Sequence, residues 1–259
     1  MTETSSASLR QTAREWSGAI GQMVAVFLVV MAAKAALAEP FYVPSGSMEP
    51  TLMIGDALLA TKFPYGYSAA SVPLNVALPA TSRVLGALPE RGDVVVFRWP
   101  GDRSQVWVKR VVGLPGDRIQ MRNGQLLING VPAPLRADGT GRAENEDGSD
   151  LPAERYIETL PGGHAHPVYK LRPHSFFDNT AEVTVPEDHV FVMGDNRDNS
   201  ADSRVPVSEG GVGLLPTDNL VGRVEAVLGS YDLGVARRRA DAASWLSGLR
   251  LGRFLTSVN

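Results

Sequence analysis

Cysteine is absent from the chain of 259 residues. That excludes disulfides and thiolate metal sites, and it leaves no thiol nucleophile to compete with a hydroxyl. An extracytoplasmic domain of this length needs no disulfides, so the absence leaves the compartment open. Histidine is scarce, with four scattered residues, too few and too dispersed to suggest a zinc site. Neither sign of charge dominates: 25 Lys and Arg stand against 28 Asp and Glu, a net charge of −3. Nothing in that balance points to nucleic acid. The hydrophobic share, 44%, is ordinary, and only one long apolar run occurs, so the chain is not a polytopic membrane protein. The length suits one large domain or two small ones with a real core.

The apolar run is WSGAIGQMVAVFLVVMAAKAALA, residues 16–38, after a polar tail at 1–15. As a helix it is about long enough to cross the roughly 30 Å hydrocarbon layer. Arg10 and Arg14 precede it, which places the N-terminus in the cytoplasm by the positive-inside rule. Lys34 could snorkel to the outer headgroups. A second reading remains open here: Ala36-Leu37-Ala38 also ends a cleavable signal peptide with a small-x-small site.

Downstream, strand patterns dominate. The runs 56–63, 93–100, 106–114, 118–133, 182–194 and 220–232 are rich in Val, Ile and aromatics and bounded by Gly, Pro and Asp, which predicts a mostly β body. Arg122-Asn123-Gly124-Gln125 supplies an Asn-Gly hairpin turn. Residues 134–181 are polar and Gly-rich at first and read as an insertion or small subdomain with mobile loops. The end of the chain, 233–259, is basic with Trp245, Leu246, Leu249, Leu251 and Phe254 interspersed. It reads as an amphipathic helix on anionic lipid, or as a surface element packed on the body.

Three stretches could carry chemistry. In FYVPSGSMEPTL, residues 41–52, Ser47 is a hydroxyl held between prolines, with Gly46 beside it to allow close backbone approach. A plain turn is the alternative. In VWVKRVVGLPGD, alternation puts Trp107, Lys109 and Val111 on one face and Val108, Arg110 and Val112 on the other. At most one of Lys109 and Arg110 is then expected to point into the body. A lysine that does so loses pKa by desolvation and can act as base for a serine; a guanidinium cannot. The third stretch is MGDNRDNSADSR, residues 193–204. Asp198, Ser200, Asp202 and Glu209 fall at positions 1, 3, 5 and 12 of a calcium-loop template, but Ser203 stands where that template needs Gly. A hydrogen-bonded Asx turn, with Asp202 and Arg204 as a clamp, is the other reading.

In order along the chain, PSGSMEPTL with IGD after it, RGDVVVF, VKRVVGLPGD and GDNRDNSADSR resemble the motifs of the bacterial type I signal peptidases. The resemblance spans most of residues 41–232. It implies a mostly β catalytic core with an inserted β subdomain, outside the membrane. It implies Ser47 as nucleophile, Lys109 as general base, Ser45 in the oxyanion hole with the Ser47 N–H, and Ser200 orienting the lysine. Asp202 and Arg204 correspond to a supporting pair. Phe41, Val43, Met48, Leu52, Val96 and Val108 correspond to shallow apolar pockets for small side chains, in keeping with Ala-x-Ala cleavage sites. The departure is Val205–Val212, where the family often continues with an aromatic and Gly-rich run. No metal or cofactor is implied. The expected partners are signal-peptide-bearing precursors and the lipid bilayer, with the protein acting as a monomer. The expected location is the bacterial inner membrane, with the span 16–38 retained and a catalytic domain 39–232 on the outer side.

Overall fold

The structure, a computed structural model, describes residues 16, 18–30, 37–71, 83, 86–144, 149–234 and 246–258. Fifteen strands occur in it. They are β1 (Ala38–Tyr42), β2 (Asp56–Thr61), β3 (Val94–Trp99), β4 (Asp102–Gly113) and β5 (Arg118–Arg122). Next come β6 (Gln125–Ile128), β7 (Val131–Pro132), β8 (Leu135–Glu144), β9 (Asp150–Thr159) and β10 (Ala165–Lys170). The last are β11 (Val183–Thr184), β12 (His189–Met193), β13 (Leu215–Pro216), β14 (Leu220–Ser230) and β15 (Thr256–Ser257). The mostly β body that the alternating runs predict is what forms.

The main sheet is antiparallel, in the order β1-β2-β14-β3-β4-β12-β13, with β15 added to β14. β3 is central and its Val94, Val95, Val96 and Phe97 are all buried. Val94 and Val96 pack with Val43, Met48, Leu52 and Leu58, whereas Val95 and Phe97 pack with Val111, Val190 and Val192. This run of consecutive apolar residues is the mark of a strand covered on both faces. A second sheet has the order β11-β5-β6-β7. Its first hairpin turns on Asn123 and Gly124, both at positive φ (50° and 76°), as the Asn-Gly signal requires. Asn129 and Gly130 repeat the device before β7.

The third sheet, β10-β9-β8, occupies most of the segment 134–181 read as an insertion or small subdomain with mobile loops. β8 carries Gly and Asp residues that disfavour strands on propensity. Its pairing with β9, with an irregularity between Ala137 and Thr140, holds it extended regardless.

Residues 18–30 are helical and exposed all round. Ile20, Met23, Val26, Phe27 and Val29 are each more than half exposed. Among the described residues no helix is long and apolar enough to cross a membrane. The transmembrane helix expected over 16–38 is therefore not found as such. Residues 17 and 31–36 lie outside the described residues, and at the other end Ala38 already belongs to β1, paired with Thr61.

At the far end, residues 235–245 lie outside the described residues. Residues 246–258 return to the body, where Val258 is buried among Met48, Leu52 and Val227. Arg250 Nη1 donates to the Ile54 carbonyl at 2.6 Å. Arg253 pairs with the buried carboxylate of Asp56 and donates to the Thr51 carbonyl at 2.9 Å. The two arginines thus cap carbonyls of the loop that follows Ser47. Replacing Arg253 by Ala leaves Asp56 buried without its cation and is expected to cost about 3 kcal/mol, read as a lower Tm in thermal unfolding. An unchanged Tm would show that the clamp carries no weight.

Candidate active site

Ser47 sits in a one-turn 3-10 helix, Gly46–Met48, directly after β1. Lys109 lies in β4, 62 residues later. Their side chains meet: Lys109 Nζ is 2.7 Å from Ser47 Oγ. The amine also donates to the Val108 carbonyl at 3.1 Å and lies 5.6 Å from the Trp107 ring centroid, whose indole stacks on Trp99. Ser47 is 9% and Lys109 4% exposed. Burial pushes the lysine pKa down to about 8, against the charges of Asp202 and Asp195, with Arg204 also lowering it.

The expectation that only one of Lys109 and Arg110 points into the body is wrong, because Arg110 is 0% exposed. Lys109, Arg110, Val111 and Val112 are buried one after another, so this end of β4 is covered on both faces. Arg110 is accommodated by a charge partner. Its Nε and Nη2 donate to Asp195 at 2.9 and 2.8 Å, and Nη1 donates to the Gly92 carbonyl at 2.7 Å.

The loop after β12 fastens the serine turn. Asn196 N donates to the Ser47 carbonyl and Asn196 Nδ2 to the Gly46 carbonyl, each at 3.1 Å. Asp202 and Arg204 form a two-pronged pair, Nε to Oδ1 at 2.9 Å and Nη2 to Oδ2 at 2.8 Å. The Gly194 N–H also donates to Asp202 at 3.0 Å. Burial alone would raise the Asp202 pKa, but the charge and hydrogen bonds of Arg204 and the N–H of Gly194 hold it below the usual range. The carboxylates weighed as calcium positions 1 and 5 are thus committed. Asp198 accepts from the Leu171 and Arg172 N–H groups, and Asp202 belongs to Arg204.

A groove of about 1150 Å³ runs past this pair, lined by Phe41, Val43, Ser45, Ser47, Val96, Val108, Lys109 and Ser200 among others. Met48 and Leu52, expected in its wall, do not line it. Both are 0% exposed and lie in the core cluster beneath, against Val43 and Val96. Ser45 Oγ reaches Ser47 Oγ only at 3.5 Å. Ser200 is also a correction. It lines the groove and is buried, but its hydroxyl makes no hydrogen bond to Lys109; the amine bonds to Val108 instead. The departing segment folds as a short 3-10 turn, Val207–Glu209, and brings Val205 and Glu209 to the groove.

Sequence reasoning passed over several residues that hold the site. Arg197 is clamped by Glu158 of β9 through its two terminal nitrogens, at 2.6 and 2.5 Å. His166 of β10 is buried, 3.5 Å from Glu158 and 3.8 Å from Asp195. Burial, chiefly, holds its pKa at about 3 despite those two carboxylates, so it is neutral. Asp195, Asn196 and Arg197 stood in the polar motif and could have been read with it. Glu158 and His166 carry no local signal. A Cβ on Gly194 would meet the Ser47 carbonyl oxygen at 2.5 Å and Ser200 Oγ at 2.3 Å. The Gly194→Ala variant must therefore displace the serine turn, and a shift on the order of 1 Å there should lower turnover about 100-fold. Steady-state kinetics on a folded variant checks this; turnover within a few-fold of the parent would refute it.

The chain matches the sequence profile of the family described as signal peptidase, peptidase S26, over residues 14–229. It is 34% identical over 247 residues to signal peptidase I of Rickettsia typhi, covering 90% of each chain. With signal peptidase I of Rickettsia massiliae it shares 33% identity over 272 residues, covering 99% of this chain and 97% of the relative. A crystal structure of a signal peptidase I from Enterococcus faecalis V583 aligns at 26% identity with a TM-score of 0.31, covering 53% of this chain and 97% of that one. The match spans both the Ser47 turn and the loop that fastens it, and the chain belongs to the signal peptidase family, peptidase S26.

Proposed function

We propose that this signal peptidase is a membrane-held serine endopeptidase that removes signal peptides from exported precursors, with Ser47 as nucleophile and Lys109 as general base. The observation that carries the reading is the 2.7 Å contact between the buried Lys109 amine and Ser47 Oγ at the wall of a groove. With the amine neutral, that contact runs with the serine hydroxyl donating to nitrogen.

The steps follow from this geometry. Ser47 Oγ attacks the carbonyl carbon after an Ala-x-Ala-like segment while its proton passes to Lys109. The tetrahedral oxyanion is met by the Ser47 N–H and the Ser45 hydroxyl; one such donor is worth roughly 3–4 kcal/mol. Collapse expels the amine of the mature chain, which takes the proton from Lys109. A water then hydrolyses the acyl-enzyme, with Lys109 again the base. Phe41, Val43, Val96 and Val108 bound the groove, an apolar wall in keeping with small apolar side chains.

The apolar segment tethers this site to the bacterial inner membrane, with the N-terminus inside and the catalytic body outside. What supports this is a helical stretch that is apolar but for Gln22, the exposure of its side chains at 18–30, and Arg10 and Arg14 before it in the sequence. Tethering raises the encounter rate with precursors held by their own apolar segments. It also argues for retention of the Ala36-Leu37-Ala38 site uncut. Intact mass of the membrane-bound protein is expected to include the segment, and a start at Glu39 would contradict it.

The decisive experiment incubates the detergent-solubilised protein with a precursor carrying an Ala-x-Ala site. Ser47→Ala and Lys109→Ala are each expected to lower turnover by at least about 1000-fold. Near-normal cleavage by either would remove the dyad, and a purely binding role predicts that Ser47→Ala leaves function intact. Because the lysine must be neutral, kcat/KM should fall about tenfold for each pH unit below the Lys109 pKa of about 8. A pH profile flat through that range would count against Lys109 as base.

A further inference from the structure

Glu49 has no place in these steps, yet it is 1% exposed and stands two residues after Ser47. Its backbone N–H closes the serine turn by donating to the Gly46 carbonyl at 3.1 Å. Its side chain points to the end of the β8–β9 hairpin, where Oε2 accepts the Glu144 N–H at 3.0 Å. The other oxygen, Oε1, is buried without a hydrogen-bond partner among the described residues. Gly46 is enclosed by the same two residues. A Cβ there would meet the Glu144 carbonyl oxygen at 2.7 Å and Glu49 Oε2 at 3.2 Å. The hairpin end, the Glu49 carboxyl and the backbone beside the nucleophile therefore form one tight contact.

The charges around this carboxyl are mostly of its own sign. Glu144 and Asp150 face it from the hairpin, Arg250 faces it from the C-terminal segment, and Tyr169 lies near it on β10. Arg250 is already engaged, 3.2 Å from Glu144 and 3.5 Å from Asp232. An ionised Glu49 would be a buried charge with one hydrogen bond, two like-charged neighbours and a shared cation. That is an expensive arrangement, and a protonated carboxyl avoids it.

We infer that Glu49 is a positioning residue whose neutral, buried carboxyl holds the Ser47 turn against the β8–β9 hairpin, and whose ionisation loosens that contact and slows turnover. The inference deepens the peptidase reading and rests on it. Burial, and next the charge of Glu144, push the Glu49 pKa up to about 8, against the Glu144 N–H and Arg250. A carboxyl raised in the folded state binds its proton more tightly there than in the unfolded chain. Stability is therefore lost as pH rises from the ordinary carboxylate range through about 8. Catalysis then needs two neutral groups, the Lys109 amine and the Glu49 carboxyl. The rate should rise with pH as the lysine deprotonates and fall again as Glu49 does.

The test measures kcat and KM on an Ala-x-Ala precursor peptide from about pH 6 to about pH 10 for the parent, Glu49→Gln and Glu49→Met. Neither replacement can ionise, and the second keeps an apolar fit should the amide fail to fold. The parent kcat is expected to fall by about tenfold per pH unit above its alkaline midpoint, with KM little changed. Both variants should keep the rising limb and lose the fall. The same falling limb in all three proteins, or none in the parent, overturns the proposal. Thermal unfolding gives an independent reading: the parent Tm should drop relative to Glu49→Gln as pH rises from about 5 to about 9. A constant difference also overturns it. If even the parent cleaves nothing, the peptidase reading fails, and the Tm comparison still decides the role of Glu49.

Discussion

On the reading proposed above, the Lys109 amine takes a proton from Ser47; to do so near neutral pH it must be kept out of water, and the surrounding residues bear on that need. Desolvation lowers the Lys109 pKa, but Asp202 and Asp195 lie close enough to raise it. Left unpaired, those carboxylates would restore the ammonium. Each is instead bound to its own guanidinium, Asp202 to Arg204 and Asp195 to Arg110. Arg204 works against the carboxylates at the amine, and burial, the largest influence, decides the outcome. The two pairs have a chemical effect beyond any contribution to stability, which for buried pairs is often small.

The Arg110–Asp195 pair also brings remote segments together. Arg110 belongs to β4 and Asp195 to the loop after β12. Arg197 of that loop is gripped by Glu158 of β9, and the loop in turn holds the Ser47 and Gly46 carbonyls through Asn196. The third sheet is therefore a part of the site, two contacts removed from Ser47. Neutral His166 fills the space between Glu158 and Asp195. A charged imidazole there would compete with both arginines for their carboxylates.

What the sequence made legible follows from the range of its signals. Strands with strong alternation or continuous β-branched runs were readable because neighbours on one strand carry the pattern. The Asn-Gly turn at 123–124 was readable because its backbone demands those residues. β8 to β10 were not, since β8 is polar and Gly-rich and is held by pairing with β9 rather than by its own propensity. Lys109 and Ser47 were found through their motifs, and the fold brings them together. Arg110 was set aside because alternation supplies only one inward face, a rule that fails for an interior strand with both faces covered. Met48 and Leu52 were placed in the groove because their positions match pocket-lining ones in the family that the sequence resembles. A motif position says nothing about which side of a one-turn helix meets substrate.

The burial of Met48 and Leu52 bears on the selectivity proposed above. Met48 and Leu52 pack beneath the groove against Val43 and Val96, and the last two belong both to the core cluster and to the groove wall. A wall residue that is also a core residue cannot swing aside to admit a larger side chain, because close-packed interiors leave it no vacant rotamer. Cutting such a residue back would enlarge the pocket, but it would also open a cavity in the sheet packing, at about 1 kcal/mol or more for each buried methyl group or two removed. The proposed preference for small side chains is thus tied to stability. The groove wall is the outer surface of the core, and on that proposal mutations that relax selectivity there must weaken the fold that holds Ser47 beside Lys109.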